Sequence, residues 1–232
     1  MKILAMDTCF PRGGLALFAE GRVVGKVGFE GTEGHVVSLP RALEAELARL
    51  GWRVGDLDRI AVTLGPGSFS GARIALGVAK GMAAALGVPV AGFSTLEVVA
   101  AGSNCSGWVA ATLDARRGEV YAALYEIQEQ TAPRLRSELL VCDPETLLAR
   151  LRAWMPMCDG PLHLTGNALE HHAEAWRSLE TEGVVILPPE SWSLDVGRLA
   201  EMGACLPVGA IGLVESLEPV YVRKADAREP GH

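Results

Sequence analysis

Apolar and polar positions follow two rhythms along the first hundred residues. Lys2 to Thr8 is a short, almost continuous apolar run, which reads as a buried strand, and Leu15–Phe18 and Val23–Phe29 read as two more. Glu20-Gly21-Arg22 joins the latter pair as a tight hairpin turn. Then the period lengthens. Leu39, Leu43, Leu47 and Leu50 recur at steps of four, four and three, which puts them on one face of a helix, while Arg41, Glu44, Glu46 and Arg49 fall mostly elsewhere. Pro40 fits such a helix in its first turn, and Gly51 is placed to cap its C-terminus. Arg59–Leu64 predicts a fourth strand. The turn Gly65-Pro66-Gly67-Ser68-Phe69-Ser70-Gly71 leads into a second helix ending near Gly87. Val88–Gly92 predicts a fifth strand, and Ser94 or Thr95 caps a third helix with Glu97 in its first turn. Three strands followed by strand–helix alternation imply a mixed sheet with helices packed on it.

The polar, glycine-flanked stretch Gly102-Ser103-Asn104-Cys105-Ser106-Gly107 is the expected domain boundary, dividing the chain into 1–102 and 103–232. Beyond it the pattern partly repeats. Trp108–Leu113 and Glu119–Ile127 predict strands joined across Arg116-Arg117-Gly118. Helices are expected at Pro144–Met155, Ala168–Leu179 and Asp195–Leu206, with short strands at His163–Thr165 and Val184–Leu187 and a surface tail after Glu218.

Hydrophobic residues make up 49% of the 232 residues and charged residues 21%, so much of the chain is buried. The net charge of −7 and the absence of any basic run longer than Arg116-Arg117 argue against autonomous nucleic-acid binding, which draws its affinity from phosphate neutralisation. The five cysteines, Cys9, Cys105, Cys142, Cys158 and Cys205, are widely spaced, with no CxxC; they read as free thiols in a reducing, cytoplasmic setting. The apolar run at Ile3–Met6 is too short for a signal peptide. The most apolar stretch, Gly71–Val88, contains Arg73 and Lys80; a central Lys costs about 3 kcal/mol in a membrane span, so no membrane association is expected.

The candidate chemistry is thin. The glycines at 65, 67 and 71 are one residue too far apart for a dinucleotide fingerprint, and no Gly-Lys-Ser/Thr closes a P-loop, so the turn reads as a rigid cap in which Gly67 permits positive φ and Ser68 or Ser70 caps the helix. Asp7 ends a strand, where a carboxylate can hold magnesium through water, but Phe10-Pro11-Arg12 replaces the phosphate turn of a nucleotide-binding fold. His35 has no second ligand one turn away, and the adjacent His171 and His172 point about 100° apart on a helix. Asp114 to Tyr121 gathers Asp, two Arg and Glu around a hairpin and reads as a charged solvent turn, with an anion or partner site as the alternative. No catalytic, cofactor-binding or metal-binding set is predicted.

The second helix is more informative. Ile74, Leu76, Val78, Met82 and Leu86, with a series of alanines, cover most of its circumference, and Gly77 and Gly81 lie on one face. Each interior glycine costs about 1 kcal/mol relative to Ala. Close approach of another helix offsets that cost. The pattern alone fits burial within the domain and docking of a partner equally.

Asp7-Thr8-Cys9, His35 with Ser38-Leu39-Pro40, Gly65–Gly71 followed by Ala72-Arg73-Ile74, Ala79-Lys80-Gly81, Ser94-Thr95-Leu96, Leu113-Asp114-Ala115-Arg116, Glu119-Val120-Tyr121 and Pro219-Val220-Tyr221-Val222-Arg223 together resemble the bacterial TsaB family. The likeness runs along most of the chain, and the glycine turn with its following Arg is its most specific part. It departs in having Ser70 for the usual Thr and Cys9 for the usual Ser. The resemblance implies an actin-like/Hsp70-like ATPase fold of two ribonuclease-H-like lobes, the first (1–102) carrying dimerisation helices and the second (103–232) smaller. It implies a non-catalytic scaffold for threonylcarbamoylation of adenosine next to the anticodon in tRNAs reading ANN codons. The partners implied are the catalytic threonylcarbamoyl transferase paralogue, a third ATPase subunit, a second copy of the chain when alone, and tRNA only through the complex. The implied interface is Leu39, Leu43 and Leu47 of the first helix with Arg73, Ile74, Gly77, Val78, Lys80, Gly81 and Ala84 of the second. The competing expectation is an actin-fold ATPase or a glycoprotease-like metallopeptidase; the missing phosphate loop and metal-histidine pair count against it.

Overall fold

The computed structural model describes residues 1–29, 34–128, 131–171, 173–180, 182–207 and 214–222; His172 and Arg223 lie outside the described residues. Strands β1 (Ile3–Asp7), β2 (Gly13–Ala19), β3 (Arg22–Phe29), β4 (Arg59–Thr63) and β5 (Val90–Phe93) form a first sheet in the order β3-β2-β1-β4-β5. The β1–β2 and β2–β3 pairs are antiparallel, and β1–β4 and β4–β5 are parallel. Strands β6 (Gly107–Arg116), β7 (Glu119–Ile127), β8 (Arg134–Leu135), β9 (Leu140–Cys142), β10 (Leu162–Thr165) and β11 (Val184–Ile186) form a second sheet in which β10 again runs parallel to the first strand of the lobe. With β9 on the far side of β7, the order β9-β7-β6-β10-β11 repeats that of the first sheet. This is the duplicated lobe of the actin-like fold. The two-residue β8 and three-residue β9 are too short to show a period and were not foreseen.

Alternation at period two assigns the two faces of the first sheet. Leu4, Met6, Leu15 and Leu17 face α1 (His35–Leu50) and α2 (Phe69–Leu86). Ile3, Ala5, Ala16 and Phe18 face the opposite way and need a second cover. That cover comes from the far end of the chain: α7 (Val196–Cys205) packs Val196, Leu199 and Met202 on them. A Cβ on Gly203 would lie 2.8 Å from that of Ala61, and the buried Arg59 guanidinium donates to the carbonyls of Gly203 and Leu206. The return is reciprocated. Helix α3 (Thr95–Gly102) leaves the first sheet and packs Leu96 and Val99 against Val109, Ala111 and Tyr125 of the second. The helix that chain order assigns to the second lobe therefore belongs spatially to the first sheet.

Helix α1 starts at His35, which makes Pro40 its sixth residue rather than a first-turn residue. Proline cannot donate to the carbonyl four residues back. That carbonyl belongs to Val36, itself 65% exposed, so water can replace the lost bond. Gly51 and Gly87 close α1 and α2 with φ of 66° and 68°, as left-handed caps. In the second lobe, α4 (Pro144–Trp154) starts on Asp143, whose carboxylate accepts from Thr146 N–H at 2.8 Å. The expected helix at 168–179 is divided into α5 (Ala168–His171) and α6 (Ala173–Glu180).

Glu97 sits on α3, largely buried where the lobes meet, and acts electrostatically on the buried Tyr125 hydroxyl of β7. Burial pushes its carboxyl up to about 7, partly offset by a backbone bond at Ser94. The folded state thus holds this proton more tightly than the unfolded chain, whose value is near 4.5. The associated stability is intact below about pH 4.5 and is lost as pH rises through about 7. Urea midpoints should therefore fall between pH 5 and 8 for the wild-type chain and fall distinctly less for Glu97→Gln.

Candidate functional site

The glycine-rich turn is filled by the protein itself. Ser68 stands at the N-cap of α2 and accepts from Gly71 N–H at 3.1 Å. The Thr8 hydroxyl donates to Gly71 O at 2.5 Å and accepts from Ala75 N–H at 3.1 Å, and Ser68 N–H donates to Cys9 O at 2.8 Å. A Cβ on Gly71 would lie 1.7 Å from Thr8 O; one on Gly67, where φ is +149°, would lie 2.5 Å from Cys9 O. The glycines let the loop backbone lie directly on the end of β1.

Asp7 is fully buried beneath this contact. Its carboxylate accepts from Cys9 N–H at 3.1 Å, Phe10 N–H at 3.2 Å and the Thr63 hydroxyl at 2.5 Å. Burial pushes its pKa up, opposed by those three bonds and by His35, which heads α1 edge-on to Phe29 with ring centroids 5.7 Å apart. Burial and then the charge of Asp7 push the Cys9 thiol up to about 12, which keeps it protonated and poorly nucleophilic. An actin-like fold implies a bound nucleotide and Mg²⁺, which need an accessible carboxylate and free loop N–H groups. Asp7 is neither accessible nor short of partners, and Ser68 N–H is spent on Cys9, so these residues do not fit that group. Among the described residues no three His, Cys, Asp or Glu side chains are grouped to hold a metal.

The surface of α2 divides into four strips. Ala72, Ala75, Leu76, Ala79 and Ala83 are buried. Ile74, Val78 and Met82 are partly buried beside α1; Val78 and Met82 line an apolar groove of about 550 Å³ shared with Pro40, Leu43, Leu47 and Trp52. Arg73 and Lys80 lie on the opposite flank, where the segment 214–222 holds them: Arg73 Nε donates to the Tyr221 hydroxyl at 3.0 Å and Lys80 Nζ to Glu215 O at 3.4 Å. Between the flanks Gly77, Gly81 and Ala84 are exposed, and among the described residues a Cβ on either glycine would meet nothing within 4 Å. Leu39, Leu43 and Leu47, assigned to an interface by resemblance, are buried against the sheet. The outward side of α1 is instead made by residues such as Pro40, Glu44 and Ala48. Nothing in local spacing reveals the tail's hold on Arg73, since Tyr221 is 148 residues away.

The lobes enclose a cleft of about 580 Å³. Ser68, Phe69 and Tyr221 line one wall, and Asp114, Arg116, Arg117 and Asn167 the other. The β6–β7 hairpin turns at Arg117-Gly118, with φ of 57° and 77°, after a register irregularity at Arg116, where φ is 64°. The Asp114 carboxylate accepts from Arg116 N–H at 2.9 Å, while Asn167 Oδ1 accepts from Asp114 N–H at 3.0 Å. His171 Nε2 lies 3.9 Å from Asp114. Sequence reading foresaw the charged hairpin but not its facing Phe69 and Tyr221.

Comparison with known proteins gives a consistent set of relatives. The family model for TsaD, tRNA N6-adenosine threonylcarbamoyltransferase, matches residues 29–148. The tRNA threonylcarbamoyladenosine biosynthesis protein TsaB of Escherichia coli (strain K12) is 32% identical over 228 residues, covering 96% of this chain and 95% of its own length. TsaB of Bacillus subtilis (strain 168) is 32% identical over 175 residues, 75% of this chain and 74% of that one. The solved structure of YeaZ from Pseudomonas aeruginosa superposes with a TM-score of 0.76 at 28% identity, over 95% of this chain and 99% of that chain.

The two glycine environments on α2 predict opposite responses to one methyl group. Gly71→Ala should lower stability in urea denaturation by about 2 kcal/mol or more, because the clash is with backbone. Gly77→Ala should raise it by up to about 1 kcal/mol, the ordinary helix-propensity gain at an open site. Titration of the purified chain with ATP–Mg²⁺ should give no saturable heat; a stoichiometric isotherm would show that the strand end opens.

Proposed function

The chain belongs to the TsaB family of tRNA threonylcarbamoyladenosine biosynthesis proteins, and on that premise we propose that it is a non-catalytic partner subunit of a threonylcarbamoyl transferase. Helices α1 and α2 form the docking surface. The observation that carries this reading is the open glycine row. Gly77 and Gly81 each cost the helix about 1 kcal/mol relative to Ala, and among the described residues no neighbour packs into the space they leave. A second helix seated along that row recovers the cost through close contact, and the adjacent apolar groove between α1 and α2 widens the contact. The transferase family model spans both helices, 35–50 and 69–86, so the two chains can present like surfaces to one another in a pseudo-twofold pair.

The interface centres on Gly77, Gly81, Ala84, Val78 and Ile74, with Leu43 and Leu47 forming the floor of the groove and Leu39 supporting it from the core. Arg73 and Lys80 border it from the side held by the tail. The buried Asp7 and the self-filled glycine turn support a subunit that does not itself perform the transfer. In this reading the chain pairs with itself through the same helices when the transferase is absent, an ATPase joins as third component, and tRNA is engaged through the complex. It works in the cytoplasm; no helix among the described residues is long and apolar enough to cross a membrane.

A specific interface of this kind buries on the order of 1,600 Å² in total. Gly77→Leu or Gly81→Leu fills the row without touching the fold, since both sites are open. Either variant should keep the wild-type urea midpoint within about 1 kcal/mol and lose at least about a hundredfold in affinity for the transferase, or about 2.7 kcal/mol. Undiminished co-purification of both variants would contradict the assignment.

A further inference from the structure

We propose that the mouth of the inter-lobe cleft is a contact site for the RNA substrate, with Arg116 and Arg117 meeting phosphates and the Phe69–Arg73–Tyr221 stack receiving a base. This inference rests on the partner-subunit reading above and adds a surface separate from the α1–α2 interface. One wall carries the rings. Phe69 and Tyr221 are 51% and 47% exposed, with ring centroids 5.1 Å apart. The Arg73 guanidinium lies 4.0 Å from the Phe69 centroid and 5.8 Å from that of Tyr221, while its Nε donates to the Tyr221 hydroxyl. Half-exposed rings braced by a cation form a platform on which any base can stack.

The facing wall carries the charge. Among the described residues lining the cleft, Asp114 is the one acid, and its side chain is 13% exposed and turned to Arg116, whose own side chain is 74% exposed. Arg117 occupies the first position of a primed hairpin turn, where Asn or Gly is favoured, and Arg116 is left-handed as well. An L-residue in that conformation costs roughly 1 kcal/mol. Two arginines there set guanidinium groups at the mouth of a cleft lined by aromatic rings, with Asp114 beside Arg116 and Glu119 opposite it in register. The rest of the acidic surface repels RNA, so the site adds to binding only when another subunit holds the nucleic acid nearby. A free nucleotide shares the phosphate-and-base chemistry, but the closed strand end at Asp7 offers it no inner phosphate site.

The test uses the full chain bound to the transferase and an unmodified tRNA transcript for an ANN codon. Asn tolerates left-handed backbone, so Arg116→Asn/Arg117→Asn keeps the hairpin and removes both charges. The variant should hold the transferase as the wild type does in gel filtration. It should bind the transcript about tenfold more weakly at low salt, with the slope of log affinity against log salt reduced by about 1 to 2. Phe69→Ala should weaken binding while leaving that slope unchanged. Equal affinity and equal slope for the arginine variant in an intact complex overturn the inference while leaving the partner-subunit reading standing. Saturable AMP binding by the isolated chain that the double variant abolishes, with tRNA affinity unchanged, overturns it in favour of a free nucleotide. Failure of the wild-type chain to hold the transferase overturns both.

Discussion

The first turn of α2 lies backbone to backbone on the end of β1, and the architecture around it depends on that closeness. Thr8 supplies one hydroxyl that both donates to Gly71 O and accepts from Ala75 N–H, fastening strand and helix at a single point. Gly67 and Gly71 remove the Cβ atoms that would hold the two backbones apart. The same contact closes the space in which an actin-like fold would receive phosphate, and it sets the rotation of α2. With Ala72, Ala75 and Ala79 turned to the sheet, Gly77 and Gly81 must point outward.

A second constraint comes from the exchange of helices between lobes. Each sheet has an apolar face that its own lobe leaves uncovered, and each receives a helix from the other half: α3 covers β6 and β7, and α7 covers β1, β2 and β4. The lobes are thereby tied through two packed helices as well as through the chain crossing at 102–107. Glu97 is carried into that junction, where burial holds its proton near neutral pH. Cross-braced lobes present α1 and α2 as a fixed surface, and docking on a fixed surface has a lower ordering cost.

Much of this was legible in the sequence because it is local. The apolar runs of β1 to β5, the four-four-three spacing of the α1 leucines, the caps at Gly51 and Ser68, the end of α2 near Gly87, and the placing of Gly77 and Gly81 on one face all follow from periods and turn chemistry. The rest is non-local. The leucine stripe that the resemblance placed at an interface is the part the sheet buries; an amphipathic period identifies a buried face without saying what buries it. The partnering of α7 with β1, and of Tyr221 with Arg73, joins residues far apart in sequence and leaves no spacing to read. Pro40 stands in the body of α1 rather than its first turn, where the bond it forfeits is at the exposed Val36 and open to water.

The central claim is that the outward face of α2, beside α1, is where the transferase docks. Amide hydrogen exchange on the chain, free and then saturated with transferase, tests it most directly. The account predicts added protection at 77–86 of α2 and 40–50 of α1, with exchange in β6, β7 and β10 unchanged. Protection confined to the second lobe, or none in α2 at saturation, would contradict it.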